Sequence, residues 1–507
     1  MMGLTDKPLH PFLFALYPIL FLYTHNIEEV PLTATFTPFI LAFVFTTILL
    51  ISYRFVYSDM DKSVTMTSIT IILFYSFSIL TKLSDTINVF ESSETKNGYM
   101  IAFSLSIALL MAYTIYKSRR DFTMITKSFN VFITTLIFLP MINIISYYAT
   151  LQGTPYAGDK PVPGDKNKAF INQNDIYYII LDGYTREDIL KSVYGFNNTE
   201  FIRGLEDKGF YVASKSRSNY PLTYTSLASS LNMEYINYLS EQLGTDSSNR
   251  NIPYQMIKDS NAARILKSLG YTYINLRSGW GATDHNEYAD LEYSYSGFGK
   301  QDEFYSNLVK NTILQPIIEP LMAKDLSKAR IYTFEKLKEI ATLEGKTFTL
   351  AHIQLPHPPY LFDRWGNPIP AENREWDKSA WGEKTKYVEQ LSYTNKKINE
   401  TIDEILASSS TAPIIILQAD HGTSPIAQTW MEDIRKVKKE QLDERIAIFN
   451  AYYLPDNGSI MLYESITPVN TFRVIFNYYF DGNFTLLEDK SFFSNNQRPY
   501  DWIIVEK

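Results

Sequence analysis

Five long apolar stretches fill the first 150 residues, at roughly 9–26, 32–57, 64–84, 98–116 and 129–149. Each reads as a helix able to cross a hydrocarbon core about 30 Å thick. A chain that begins this way does not fold as one water-soluble globule. The first stretch has no clear cleavage site and is followed by further spans, so it reads as a retained helix and not a signal peptide.

The loops between the stretches set an orientation. Lys117, Arg119, Arg120 and Lys127 cluster between the fourth and fifth, and Arg54 and Lys62 lie between the second and third. Glu28 and Glu29 mark the first loop, and Asp85, Glu91 and Glu94 the third. Lys and Arg stay on the cytoplasmic side, which places the N-terminus inside and everything after the fifth span outside. The expected location is a bacterial-type cytoplasmic (inner) membrane, multi-pass, with the C-terminal part extracytoplasmic.

Residues 151–172, rich in Gly, Pro and charge, read as a juxtamembrane linker between a membrane domain, 1–150, and a globular domain, 173–507. A net charge of -8 and no basic face argue against nucleic acid as a partner. With no Cys in the chain, disulfides, thiolate metal sites and a cysteine nucleophile are excluded. Oligomeric state is not legible.

In the globular part, buried-strand patterns alternate with helical ones. IYYIILD (176–182), YTYINLRS (271–278), FTLAHIQL (348–355), IIIL (414–417) and IAIFNAYYL (446–454) read as strands, with helical material between them. This alternation predicts a mostly parallel central sheet flanked by helices.

Two strands end in acids. The first runs into Asp182, and the fourth into Asp420 and His421. Ligands in open α/β sheets collect at strand C-termini, and mixed oxygen and nitrogen donors suit a divalent cation. An Asp at such a place also serves simply as a turn or helix cap. Between the two lies SNYPLTYTSLASSLNM (218–233), where a hydroxyl at a loop-to-helix junction can be a nucleophile or an N-cap. His10 and His25 fall in the membrane part, and His285, in GWGATDHNEYAD, is left open between a binding role and a surface one. Tyr220, Tyr224, Tyr360 and Trp365 could stack against sugars, although most aromatics in such a chain are core.

Taken together, Asp182, the hydroxyl segment some forty residues later and the distal Asp420-His421-Gly422 resemble the alkaline phosphatase and sulfatase superfamily. A five-span membrane part followed by an outside domain resembles its membrane sulfatase-like transferases, the lipoteichoic-acid synthases and phosphoethanolamine transferases. The resemblance implies an alkaline phosphatase-like fold. It implies a metal site of Asp182, Thr223, Asp420 and His421, with Thr223 as nucleophile and Thr225 and Ser226 as fallbacks. His357, in LPHPPYLFD, matches a loop histidine that contacts the transferred group, and His352 and His285 are further substrate-binding candidates. Lipoteichoic-acid synthases and phosphoethanolamine transferases usually carry Glu where this chain has Asp182, which leans toward the wider superfamily. Formylglycine sulfatases carry Cys or Ser followed by Pro-Ser-Arg, whereas here Thr223 and Leu227 fill the nucleophile and Arg positions. That departure points from sulfate esters to phosphorus.

The implied activity is transfer of a phospho-alcohol group, of phosphoglycerol or phosphoethanolamine type, from a membrane phospholipid donor to an envelope glycan or lipid acceptor. It would pass through a phospho-threonine and use one divalent metal ion: zinc or manganese first, magnesium as an alternative. A phosphodiesterase or phosphatase of the same fold is the runner-up, and a non-catalytic membrane scaffold the third reading.

Overall fold

The computed structural model describes residues 7–27, 30, 32–87, 93–151, 174–297, 303–370, 374, 378–424 and 433–506. The chain divides into two compact units, Met1–Pro155 with Asp302–Met322, and Tyr156–Gln301 with Ala323–Lys507. The predicted linker, apart from Leu151, lies outside the described residues, as do the loop acids Glu28, Glu29 and Glu91.

The first unit holds helices α1 (His10–His25), α2 (Phe36–Tyr57), α3 (Met60–Tyr75), α4 (Phe77–Ile87), α5 (Ser93–Lys117) and α6 (Thr123–Leu151). Among the described residues, Leu32–Tyr57, Thr95–Lys117 and Thr123–Ala149 are long and apolar enough to cross a membrane. The five predicted stretches map unevenly onto these helices. The third is a pair, Met60–Tyr75 and Phe77–Ser84, bent by 50°. The first, α1, has only 16 residues, which at about 1.5 Å each falls short of a ~30 Å apolar layer. Its Phe14, Ala15, Ile19 and Tyr23 are buried among the other helices of the unit. Apolar composition alone does not distinguish a helix wrapped by protein from one wrapped by lipid.

The second unit is built on a seven-stranded sheet: β1 (Ile176–Leu181), β2 (Tyr211–Val212), β3 (Thr272–Leu276), β4 (Leu291–Tyr293), β5 (Thr347–Ile353), β6 (Ile414–Gln418) and β7 (Asn450–Tyr453). Their spatial order is β2-β7-β6-β1-β5-β3-β4. The five strands from β6 to β4 run parallel, and the antiparallel pairings are those of β7, with β6 on one side and β2 on the other. A mostly parallel sheet flanked by helices is the predicted fold class.

The centre of the sheet follows from β1. All six of its residues are buried, as expected of a parallel strand covered on both faces. Side chains alternate along a strand. Ile176, Tyr178 and Ile180 enter one core, and Tyr177, Ile179 and Leu181 enter the other. The register sets Ile180 beside His352 on β5 and Gln418 on β6. The ends of three adjacent central strands therefore deliver Asp182, the segment from His352 to His357, and Asp420-His421 to one edge. The short strands β2 and β4 were not legible, since two or three residues carry no periodicity.

Candidate active site

Asp182 follows β1, and its backbone N–H still continues the ladder to Ile353 O at 3.0 Å. Gly183 then turns the chain with φ +70°, and a Cβ there would come within 2.8 Å of the Trp381 ring. A residue with a side chain would therefore clash in a backbone region it already disfavours. Beyond β6, the Gly183 and His421 N–H groups donate to Asp420 Oδ1 at 3.2 and 2.9 Å. These two bonds fix the carboxylate and leave Oδ2 facing inward.

Thr223 is the first residue of the helix Thr223–Asn232, whose N-cap is Leu222 and makes no side-chain cap. The capping role open to Thr223 is therefore not the one it plays. Its Oγ1 stands 3.3 Å from His421 Nε2. The fallback hydroxyls are directed elsewhere: Thr225 Oγ1 donates to Leu222 O and Ser226 Oγ to Asp420 O, at 3.0 and 2.7 Å. Both are buried, whereas Thr223 is half-buried at the rim.

The imidazoles are oriented by their Nδ1 bonds. His421 Nδ1 lies 2.9 Å from Gly422 O, and His357 Nδ1 lies 2.5 Å from Pro358 O. A carbonyl only accepts, so both rings carry a proton on Nδ1 and leave Nε2 for the site. His352 Nδ1 lies 2.7 Å from Thr283 Oγ1. That hydroxyl also has Ser278 Oγ at 2.8 Å and the Trp280 carbonyl at 3.2 Å, and its contact with Nδ1 leaves Nε2 of His352 facing Asp182.

The ring nitrogens and carboxylates converge. His352 Nε2 is 3.5 Å from Asp182 Oδ2, and His421 Nε2 is 3.4 Å from Asp182 Oδ1 and 3.3 Å from Asp420 Oδ2. Asp182 Oδ1, Asp420 Oδ2 and His352 Nε2 are buried with no hydrogen-bond partner. Ligands at 2.0–2.2 Å around a tetrahedral cation stand about 3.3–3.6 Å apart, which matches these gaps. Asp182, His357 and His421 form one group able to hold a cation, and Asp182, His352 and Asp420 another. The donor set fits a divalent metal.

The electrostatics agree. Burial opposes ionisation of Asp182, but His357, His352 and His421 outweigh it and hold the carboxyl well below the usual range. Asp420 is pushed up to about 7 by burial and by the charge of Asp182. His421 is held well below its ordinary value by burial and by the nearby Arg445. Two buried carboxylates side by side are costly without a cation.

Sequence reasoning treated His352 as a substrate contact, whereas the structure buries it beside the carboxylates. His285 bonds Glu292 at 2.8 Å and joins neither cation-holding group. Tyr220, Tyr224 and Tyr360 are core residues, and Trp365 is 75% exposed. Two contributors were missed. Thr283 had no motif to mark it. Arg445 is buried, and its Nε donates to Pro221 O and its Nη1 to Gly422 O, both at 2.8 Å.

The family model for sulfatases matches residues 173–472, a span that holds every one of these groups. The chain belongs to the sulfatase family. No curated protein matches it. Among solved structures, this sulfatase-family chain is similar to the C-terminal periplasmic domain of EcEptC from Escherichia coli in complex with Zn. The identity is 11% over 66% of this chain and 92% of that one, with a TM-score of 0.42. It is similar to the corresponding domain of the phosphoethanolamine transferase EptC from Campylobacter jejuni, at 15% identity over 62% and 92%, TM-score 0.39. A 2-O GAG sulfatase matches at 12% identity over 62% and 72%, TM-score 0.37. The family assignment rests on the family model alone.

Proposed function

We propose that this sulfatase-family chain is a membrane-anchored, metal-dependent transferase. It moves a phospho-alcohol group, of phosphoglycerol or phosphoethanolamine type, from a phospholipid to an envelope glycan or lipid on the outer side of a cytoplasmic membrane. One observation carries this reading. A half-exposed threonine hydroxyl, in a chain without Cys, stands 3.3 Å from the Nε2 of a histidine in the buried carboxylate cluster.

Asp182, Asp420 and His421 would hold the cation, with His352 within reach of the same carboxylates, and zinc or manganese suits their mixed donors best. Such a cation supplies positive charge that favours an ionised hydroxyl and an electron-rich phosphoryl group. Thr223 Oγ1 attacks phosphorus in line, the bond from phosphorus to the lipid alcohol oxygen breaks, and a phospho-threonine ester forms. His357, at the rim, takes the Thr223 proton on Nε2 and passes it to the departing alcohol. In the second half it takes the proton of the acceptor hydroxyl, whose oxygen attacks phosphorus as the bond to Thr223 Oγ1 breaks, and returns that proton to Thr223. Helix N-terminal amides around Thr223 favour the anionic group as it passes.

The test is intact-mass spectrometry on the full chain in detergent, wild type and Thr223→Ala, after incubation with metal and a mixed lipid extract. A mass increment present only on wild type is expected, and its size names the transferred group. Intact phosphodiesters and no adduct on wild type would overturn the reading. Free phospho-alcohol released without any acceptor would instead identify a hydrolase.

A further inference from the structure

The stretch Asp302–Met322 lies within the sulfatase-family half of the chain, yet it packs as part of the first unit. Phe304 and Leu308, one turn apart on the helix Glu303–Lys310, are buried in one cluster with Phe14, Ile19 and Tyr23 of α1 and Ile71 of α3. At the bend between α3 and α4, the Ile313 N–H donates to the Phe74 carbonyl at 3.0 Å. A bent helix in an apolar layer needs its backbone groups satisfied, and the returning segment supplies that donor.

The next stretch of chain is apolar and faces outward. Thr312–Met322 (TILQPIIEPLM) contains a single charged residue, Glu319. Leu314, Ile317 and Leu321 are 38%, 63% and 54% exposed. Their spacing of three and four residues, at and just before the start of the helix Gln315–Ile340, puts them on one helical face. Comparable exposure of large apolar side chains is found on the candidate spans of the same unit, at Ile40, Phe55, Leu109 and Phe138. In water such a stripe would be a liability; against acyl chains it is an anchor.

We propose that Asp302–Met322 is a membrane-embedded return segment, whose Leu314, Ile317 and Leu321 face the acyl chains of the bilayer crossed by α2, α5 and α6. The α/β unit is then joined to the membrane at this segment as well as through the chain after α6. This rests on the reading of the first unit as membrane-spanning.

Because the chain has no Cys, single labels can be placed cleanly. Ile317→Cys and Leu321→Cys, made in the full chain, carry a nitroxide in vesicles of phosphatidylcholine and phosphatidylglycerol. Collision rates with oxygen and with a water-soluble nickel chelate are compared at each. Leu109→Cys, 71% exposed on α5, is the lipid reference, and Lys396→Cys, exposed on the helix Lys384–Ser408, is the water reference. The oxygen-to-nickel ratio at 317 and 321 is expected to match Leu109 and exceed Lys396 by about tenfold. A ratio at 317 and 321 equal to that of Lys396, with Leu109 in lipid, overturns the return segment alone. Exclusion of both collision partners at 317 and 321 overturns it in favour of a second copy or another protein covering the stripe. A nickel-accessible Leu109 overturns it together with the membrane reading of the unit.

Discussion

Thr283 Oγ1 and His352 Nδ1 stand 2.7 Å apart, both buried, and that bond decides which nitrogen of His352 faces the carboxylates. Thr283→Val keeps the shape of the side chain and removes the hydroxyl partner of Nδ1. The freed ring loses its enforced orientation. Metal affinity is expected to fall by about 10–100-fold, read by competition with a chromophoric chelator, while the unfolding midpoint moves little. An unchanged affinity would remove His352 from the cation site.

Asp420 gives the site a pH dependence. With its carboxyl pushed up to about 7, one proton must leave before Asp420 can serve as a ligand. Metal affinity is expected to rise by about tenfold per pH unit below neutrality and to level off above it. Without metal, the sign for stability is opposite. A raised carboxyl contributes stability that is present below its unfolded value and lost as pH rises through about 7. Depressed Asp182 contributes stability above its unfolded value that is lost only in strong acid. Chelator-treated protein is therefore expected to unfold more easily at pH 8 than at pH 6, and metal to reverse that order; equal midpoints at the two pH values would contradict the carboxylate pair.

Arg445 ties the segment before Thr223 to the Asp420-His421-Gly422 segment through Pro221 O and Gly422 O. Burial pulls its guanidinium down to about 9, so it stays charged at neutral pH. Arg445→Met leaves two carbonyls without this donor, at a cost of about 1.5–3 kcal/mol for each charged hydrogen bond. Arg445→Lys, with one compact charge, is expected to recover stability better than turnover, because it cannot bridge both carbonyls. Parallel urea titrations and activity assays on the two variants separate these effects.

Gly422 permits the close approach of α/β elements behind the site. A Cβ there would fall 2.3 Å from Glu444 O and 2.7 Å from Ala447 O. Backbone cannot retreat as a side-chain tip can, so Gly422→Ala is expected to cost about 1–3 kcal/mol and to displace His421. Thermal unfolding of the metal-free variant checks the first, and metal titration the second.

The sequence on its own determined what depends on short-range pattern. Runs such as IYYIIL and IIILQ are buried strands because every residue in them is apolar or can hide its polar tip. Acids at their ends fall at the C-terminal edge of a parallel sheet whatever the rest of the chain does. Asp182, Asp420 and His421 were legible for that reason. The hydroxyl-rich segment beginning at Thr223 was legible too, although which of Thr223, Thr225 and Ser226 approaches His421 depends on the helix phase.

Only tertiary structure decided the rest. Thr283 and His352 are 69 residues apart in the chain, and Arg445 and Pro221 are 224 apart; no periodicity links such pairs. The reversed strand β7 reads like any other strand until its partners are known. Asp302–Met322 reads as ordinary helical material, and its place in the first unit depends on Phe304 and Leu308 meeting α1. Local sequence sets what each element is, but burial and hydrogen bonding between distant elements set what each side chain faces.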